Sequence, residues 1–189
     1  MTIFTNSDII QYIANTETNK NIYKKTVNHF KKSFQLFQSF HCNINHNYIE
    51  GLFADEENEI VYYSMDQDIT NFDINNSPCA LIYQQEDTET SRLYYILLIC
   101  TKRKMQNAGY ASMLLKEFLE KITQSNTHNE KPTKILLSSL ETAVTYYEKM
   151  GFKWKYTDKI TDHEVLTKYE KVEDDKEYFI MEYVLPAQM

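Results

Sequence analysis

The segment Thr101-Lys102-Arg103-Lys104-Met105-Gln106-Asn107-Ala108-Gly109-Tyr110-Ala111 combines three adjacent cations, one glycine and small side chains. It joins the most apolar run of the chain, Arg92 to Thr101, to a stretch with a helical apolar repeat. A strand, a small-residue turn and a helix N-terminus in that order make an anion site. The first amides of a helix have no intrahelical acceptor, and the helix dipole favours negative charge there. Small side chains let a phosphate approach the backbone. Lys102, Arg103 and Lys104 either add to the attraction or coat a loop. With only three glycines in the chain, Gly51, Gly109 and Gly151, a glycine at this turn points to a backbone requirement. The turn is not a Walker P-loop, because Gly-x-x-x-x-Gly-Lys-Ser/Thr is absent. Nor is it a dinucleotide fingerprint, since only one glycine of Gly-x-Gly-x-x-Gly aligns.

A second cluster lies downstream. Ala143, Tyr146, Tyr147 and Met150 trace a short helix that Gly151 stops in the position C-terminal glycines commonly occupy. On that helix Tyr147 offers a phenol that can protonate a leaving group, or an aromatic ring for the core; spacing alone allows both.

Both clusters resemble motifs of the GNAT family of acyl-coenzyme A N-acyltransferases. The family's Gln/Arg-x-x-Gly-x-Gly/Ala signature reads here Gln106-Asn107-Ala108-Gly109-Tyr110-Ala111. Its later Ala-x-x-Leu-Tyr-Glu-Lys-hydrophobic-Gly-Phe run is resembled by Ala143 to Phe152, closely so in Tyr147-Glu148-Lys149-Met150-Gly151-Phe152. The matched motif region spans residues 93–152. The resemblance implies an α/β fold with a central mixed, mostly antiparallel sheet flanked by helices, and a splayed strand pair that forms the cofactor cleft. It implies acetyl-CoA as donor, with the backbone of Asn107, Ala108, Gly109, Tyr110 and Ala111 on the pyrophosphate and Gln106 at the mouth of the turn. Ile99, Cys100 and Thr101 would bond the pantetheine arm through their backbone, with the strand Lys134 to Ser138 splaying away. Tyr147 would be the general acid on the leaving thiolate, and no metal is implied. The activity implied is acetyl transfer to a primary amine of a small molecule or peptide, by direct attack on the thioester.

Two departures from the family pattern stand out. Leu140 replaces the family's frequent Asn before the second helix, so that hydrogen bond is absent or comes from Ser138 or Ser139. No Asp or Glu lies between Leu93 and Thr101, where some members keep a general base. Glu141, His163, Glu50, the C-terminus or a water chain are open alternatives. His29, His41, His46 and His128 read as surface or satisfied polar groups. These departures motivate the alternative of a catalytically inactive module that binds CoA or a protein partner.

The remaining elements must position these residues. Ile9, Ile10 and Ile13 predict a short helix within Ile3 to Ile13, capped by Asn6 or Ser7. Thr16 to Asn21 reads as a loop. Tyr23, Val27, Phe30, Phe34 and Phe37 predict the core face of a second helix, with Lys24, Lys25, Lys31 and Lys32 off it. Glu59 to Ser64, Cys79 to Tyr83 and Arg92 to Thr101 read as strands, the last two joined as a hairpin through Gln84 to Ser91. Tyr110, Leu114, Phe118 and Ile122 repeat every four residues as one helix face. Lys134 to Ser138, Phe152 to Tyr156 and Tyr178 to Leu185 read as strands. The charged excursion Thr157 to Lys176 reads as a solvated loop. No boundary or repeat divides residues 1–189, which read as a single domain.

With 42% hydrophobic and 25% charged residues, the composition is that of a globular chain rather than a disordered one. No apolar run approaches the roughly 20 residues that span a bilayer, and a secretory leader is not evident at the N-terminus. These features predict a cytoplasmic protein that engages no membrane. A net charge of -7 disfavours nucleic acid, which requires surplus cations, and is compatible with a cationic acceptor. Cys42, Cys79 and Cys100 are widely spaced without Cys-x-x-Cys and read as reduced, buried thiols. Aromatic residues near the ends are compatible with a homodimer.

Overall fold

A computed structural model of the chain describes residues 2–40, 44–126, 131–169, 171–173 and 176–185. The elements, in order, are β1 (Thr2–Thr5), α1 (Asn6–Thr16), α2 (Asn19–Ser39), α3 (His46–Ala54), β2 (Asn58–Ser64), β3 (Cys79–Asp87), β4 (Arg92–Thr101), α4 (Tyr110–Ser125), β5 (Thr133–Ser139), α5 (Val144–Lys149), β6 (Lys153–Trp154), α6 (Glu164–Thr167) and β7 (Phe179–Leu185). The seven strands form one mixed sheet in the order β1-β2-β3-β4-β5-β7-β6, flanked by helices as the resemblance implied. The chain divides into two compact units, Met1–Ile82 with Ile99–Phe118, and Tyr83–Leu98 with Leu119–Met189. Strands β3 and β4 and helix α4 each contribute to both.

In the first unit, the N-terminal residues form a strand where a helix was expected. β1 pairs antiparallel with β2, from Thr2↔Ser64 to Thr5↔Val61. The helix then starts at Asn6, and its cap is Thr5 rather than Asn6 or Ser7. Thr5 Oγ1 accepts from Asp8 N at 3.0 Å, and Thr5 N donates to Asp8 Oδ2 at 2.8 Å, a reciprocal capping box. Four residues are too few for either periodicity to reveal a strand. The loop expected over Thr16 to Asn21 is also short, because α2 begins at Asn19.

Only the C-terminal part of the apolar stripe expected on α2 faces the core: Phe37 is buried and Phe34 half-buried. Tyr23, Val27 and Phe30 are exposed, whereas His29, Ser33, Leu36 and Phe37 are buried. The buried face is partly polar and its polar groups are paired. His29 Nε2 meets Asn6 Oδ1. Ser33 Oγ lies 2.6 Å from the Tyr62 hydroxyl. Burial, aided by Lys32, pushes the His29 imidazole down to about 4, so it sits neutral in this network. The His29 ring lies edge-on to Tyr62, and Phe37, Phe40, Leu52, Tyr63, Leu114 and Leu115 of the same unit are fully buried. α3 was not foreseen, and Gly51 lies inside it.

The second unit carries the parallel pair. β4 and β5 run in register from Arg92↔Thr133 to Ile96↔Leu137, and the ladder stops there, although β4 continues through Leu97 and β5 through Ser139. β5 meanwhile stays paired with β7 to its end, from Thr133↔Leu185 to Ser139↔Phe179. The strands therefore part beyond Leu137, as the splayed pair requires. β3 is longer than expected, and a turn at Thr88 to Ser91, closed by Thr88 N to Ser91 O at 2.9 Å, leads into β4.

The late excursion is not a solvated loop. A 3-10 turn (Ile160–Asp162) and α6 bury Ile160, Val165 and Leu166 against Tyr95, Leu136 and Ile180. Three apolar anchors are outnumbered by charged neighbours in that stretch, so composition hides what packing requires. The cysteine expectation is also corrected. Cys79 is a free, buried thiol, but Cys100 is disulfide-bonded. Bridging depends on the approach of Cα atoms in the fold, which separation in sequence does not report. Cys42, His41, His128 and the C-terminal residues considered above lie outside the described residues.

Candidate active site

The glycine turn follows β4 directly. Lys102 N donates to Pro78 O at 2.9 Å, and its ammonium bonds Asn75 O, so this cation is tied to a neighbouring loop. Its partial burial also lowers the pKa of the ammonium. Arg103 and Lys104 occupy an exposed 3-10 turn (Arg103–Met105). Gln106, Asn107, Ala108 and Gly109 are all exposed.

Two residues of the turn adopt left-handed backbone, Asn107 with φ 63° and Gly109 with φ 83°. Asn tolerates that region better than most side chains, and Gly pays no steric penalty in it. α4 then opens with Met113 N donating to Gly109 O at 3.0 Å. A Cβ placed on Gly109 would meet no heavy atom within 4 Å, so the space over this residue is open. Helix geometry gives the N–H groups of Tyr110 and Ala111 no intrahelical acceptor. Bare backbone, open space and a 16-residue helix dipole fit a pyrophosphate.

Ile99 and Thr101 are half-buried and Cys100 is buried. Thr101 Oγ1 donates to Cys79 Sγ at 3.3 Å. Burial pushes the Cys79 thiol up to about 12, so it is no nucleophile. The Tyr110 ring packs edge-on against Tyr63, with centroids 5.9 Å apart, and the Tyr63 hydroxyl reaches Met113 Sδ at 3.5 Å. Tyr110 thus serves the core with its ring and leaves only its amide to the turn.

Tyr147 is the buried residue of α5. Its ring stacks edge-on with Tyr146 at 5.0 Å and with Phe152 at 5.7 Å. The helix ends in tight backbone bonds, Gly151 N to Glu148 O and Phe152 N to Tyr147 O, both 3.0 Å. Gly151 has φ 92°, and a Cβ there would stand 3.0 Å from Tyr183 Cε2, so the glycine is needed for conformation and for space. Leu140, in place of the expected Asn, is exposed, and no side chain caps the 3-10 turn (Glu141–Ala143) that leads into α5. Ser139 Oγ donates to Leu140 O at 2.8 Å and so does not replace the missing cap.

Of the base candidates, Glu141 is exposed, and Glu50 is exposed beside His46 at 3.6 Å. His163 differs: it is partly buried, 3.5 Å from Asp158 Oδ2, with its ring 6.0 Å from that of Tyr95. Spacing alone did not single it out. Among the described residues no group of three His, Cys, Asp or Glu could hold a metal, and no helix is long and apolar enough to cross a membrane.

The chain matches the family model described as an acetyltransferase (GNAT) domain over residues 13–173. Its fold resembles that of Tetrahymena GCN5 (TM-score 0.56, 16% identity, 86% of this chain and 89% of that one). A protein of the GNAT family from Desulfovibrio desulfuricans also matches (TM-score 0.51, 12% identity, 82% of this chain and 91% of that one). Naa50 of Arabidopsis thaliana, in complex with the bisubstrate analogue CoA-Ac-MVNAL, aligns with a TM-score of 0.48 at 17% identity, over 97% of this chain and 99% of that one. No curated protein matches the chain.

Proposed function

The chain belongs to the GNAT family of acetyltransferases, and from that premise we propose that it moves the acetyl group of acetyl-CoA to a primary amine by direct attack on the thioester. The acceptor amine belongs to a small molecule or a peptide. On this reading residues 1–189 act as one catalytic domain. The observation that carries the proposal is the turn at Gly109, where left-handed backbone, open space and a helix N-terminus coincide.

When bound, acetyl-CoA supplies an activated thioester. The backbone of Asn107 to Ala111 holds its pyrophosphate, with Gln106 at the mouth of the turn. The backbone of Ile99, Cys100 and Thr101 bonds its pantetheine arm. Tyr147 gives its phenolic proton to the departing sulfur. No covalent enzyme intermediate is needed, so the protein contributes positioning and proton management.

The test is Tyr147→Phe, which keeps the edge-on ring contacts with Tyr146 and Phe152 and removes only the hydroxyl. It is expected to lower kcat by about 10²- to 10⁴-fold, the usual range for general acid–base catalysis, while stabilisation by acetyl-CoA is retained. Equal turnover in the variant removes Tyr147 from the mechanism.

A further inference from the structure

We propose that the outward side of α2, from Tyr23 to Phe30, is a docking face for an acidic amphipathic helix of a partner protein. The face lies wholly within the first unit and involves neither acetyl-CoA nor its acceptor.

The spacing of α2 makes the stripe continuous. Tyr23, Val27, Phe30 and Phe34 follow one another by four, three and four residues. They therefore lie along one line over about three turns, roughly 16 Å. The line is anchored at its C-terminal end, where the Phe34 ring packs edge-on against Phe53 of α3 with centroids 5.3 Å apart. Phe30 keeps a tilted contact with the His29 ring at 5.7 Å. Exposure then rises toward the N-terminal end, from 38% at Phe30 through 48% at Val27 to 78% at Tyr23. Apolar side chains exposed singly are ordinary on a protein surface, whereas a continuous row on successive turns marks a surface that meets a partner.

The core of the first unit cannot take this row as well. His29, Ser33, Leu36 and Phe37 are the buried face of α2, and the row is displaced from it by about 100° around the helix axis. Keeping His29 on Asn6 and Ser33 on Tyr62 leaves Tyr23 and Val27 outside.

The charge beside the row indicates what covers it. α2 holds five lysines and no Asp or Glu, in a chain of net charge -7. Lys25, paired with Glu17, and Lys32 lie on the opposite side of the helix from the row. Lys20, Lys24 and Lys31 form a second row, about 70° beyond the apolar one, and all three are exposed. Among the described residues, none of these three forms an ion pair with a carboxylate.

A narrow apolar row bordered by three cations is complemented by a helix with an apolar face and Asp or Glu along one edge. Such a helix covers Tyr23, Val27 and Phe30 and brings carboxylates to the lysines. Other occupants fit less well. A membrane or a nucleic acid is a broad anionic surface, which the acidic remainder of the chain would also have to approach. A second copy joined through its own α2 would set two five-lysine helices side by side, like charge against like. A slender acidic segment meets the lysine row without either penalty.

The experiment uses the full chain and two fluorescent helical peptides of about 18 residues, long enough to span the stripe. Both carry leucines at i, i+3, i+4 and i+7 spacing. The remaining positions are alanine and glutamate in one, alanine and lysine in the other. Fluorescence anisotropy is expected to give a micromolar Kd for the glutamate peptide, at least about tenfold tighter than for the lysine peptide. Binding should weaken as salt rises from about 0.05 to 0.5 M, since exposed ion pairs are screened. Combined Tyr23→Ala, Val27→Ala and Phe30→Ala should weaken it by about 10- to 100-fold. Combined Lys20→Glu, Lys24→Glu and Lys31→Glu should reverse the preference in favour of the lysine peptide. Thermal unfolding checks that each variant folds; if the alanine variant does not, the charge reversal decides alone. No binding of the glutamate peptide, equal binding of the two, or an unreversed preference in the charge variant overturns the proposal. Sedimentation with phosphatidylserine vesicles but no peptide binding overturns it in favour of a membrane. A dimer in sedimentation velocity that the alanine variant abolishes, again without peptide binding, overturns it in favour of a second copy.

Discussion

Gly109→Ala separates the two demands that the glycine turn makes. The added Cβ meets no protein atom within 4 Å, so no packing is disturbed. Its cost to the protein is the left-handed backbone at φ 83°, about 1–2 kcal/mol for a residue with a Cβ. For a chain of this length that lowers Tm by about 2–8 °C, at roughly 2–4 °C per kcal/mol. On the proposed reading, the methyl group also enters the open space over the turn that a pyrophosphate would use. Acetyl-CoA at about a hundred times its Kd adds roughly 2.7 kcal/mol to the wild type, a rise of about 5–11 °C. The assay is thermal unfolding of both proteins with and without excess acetyl-CoA, under conditions where unfolding is reversible. The expected result is a folded variant, modestly destabilised, whose ligand-induced rise is abolished or sharply reduced. A variant that keeps the full rise refutes the turn as the phosphate cradle. A wild type that shows no rise at millimolar acetyl-CoA refutes binding itself.

Two further predictions concern the first unit. His29 has a folded pKa of about 4, below its ordinary value of 6.5. Its neutral form therefore contributes stability that is present above pH 6.5 and is lost as pH falls toward 4, up to about 3 kcal/mol. His29→Gln should flatten that part of the stability–pH curve in chemical unfolding; an unchanged slope would show that another group is responsible. On α2, Phe37→Ala should cost about 3–5 kcal/mol, as for a buried aromatic, while exposed Tyr23→Ala should stay within about 0.5 kcal/mol. Comparable losses at the two sites in denaturant titrations would contradict the orientation of the helix.

Features governed by a few consecutive residues were legible in the sequence. The face of α4 appeared in the repeat Tyr110, Leu114, Phe118, Ile122, of which the last three are buried. The turn at Gly109 and the helix stop at Gly151 both have the positive φ that their glycines suggested. These depend on backbone geometry and on neighbours three or four residues apart, which the chain order itself supplies. Asn107 was legible only in part: its type permits left-handed backbone, but nothing local demanded it.

Tertiary structure decided the rest, because burial depends on which surfaces arrive from distant parts of the chain. α2 turns away from Tyr23 and Val27 because Asn6 and Tyr62 meet the polar groups of His29 and Ser33. Ile160, Val165 and Leu166 are buried because Tyr95, Leu136 and Ile180 present an apolar face for them to cover. The bridging of Cys100 and the pairing of His163 with Asp158 likewise depend on approach through space. Sequence periodicity specifies which residues share a face; only packing specifies which face meets solvent.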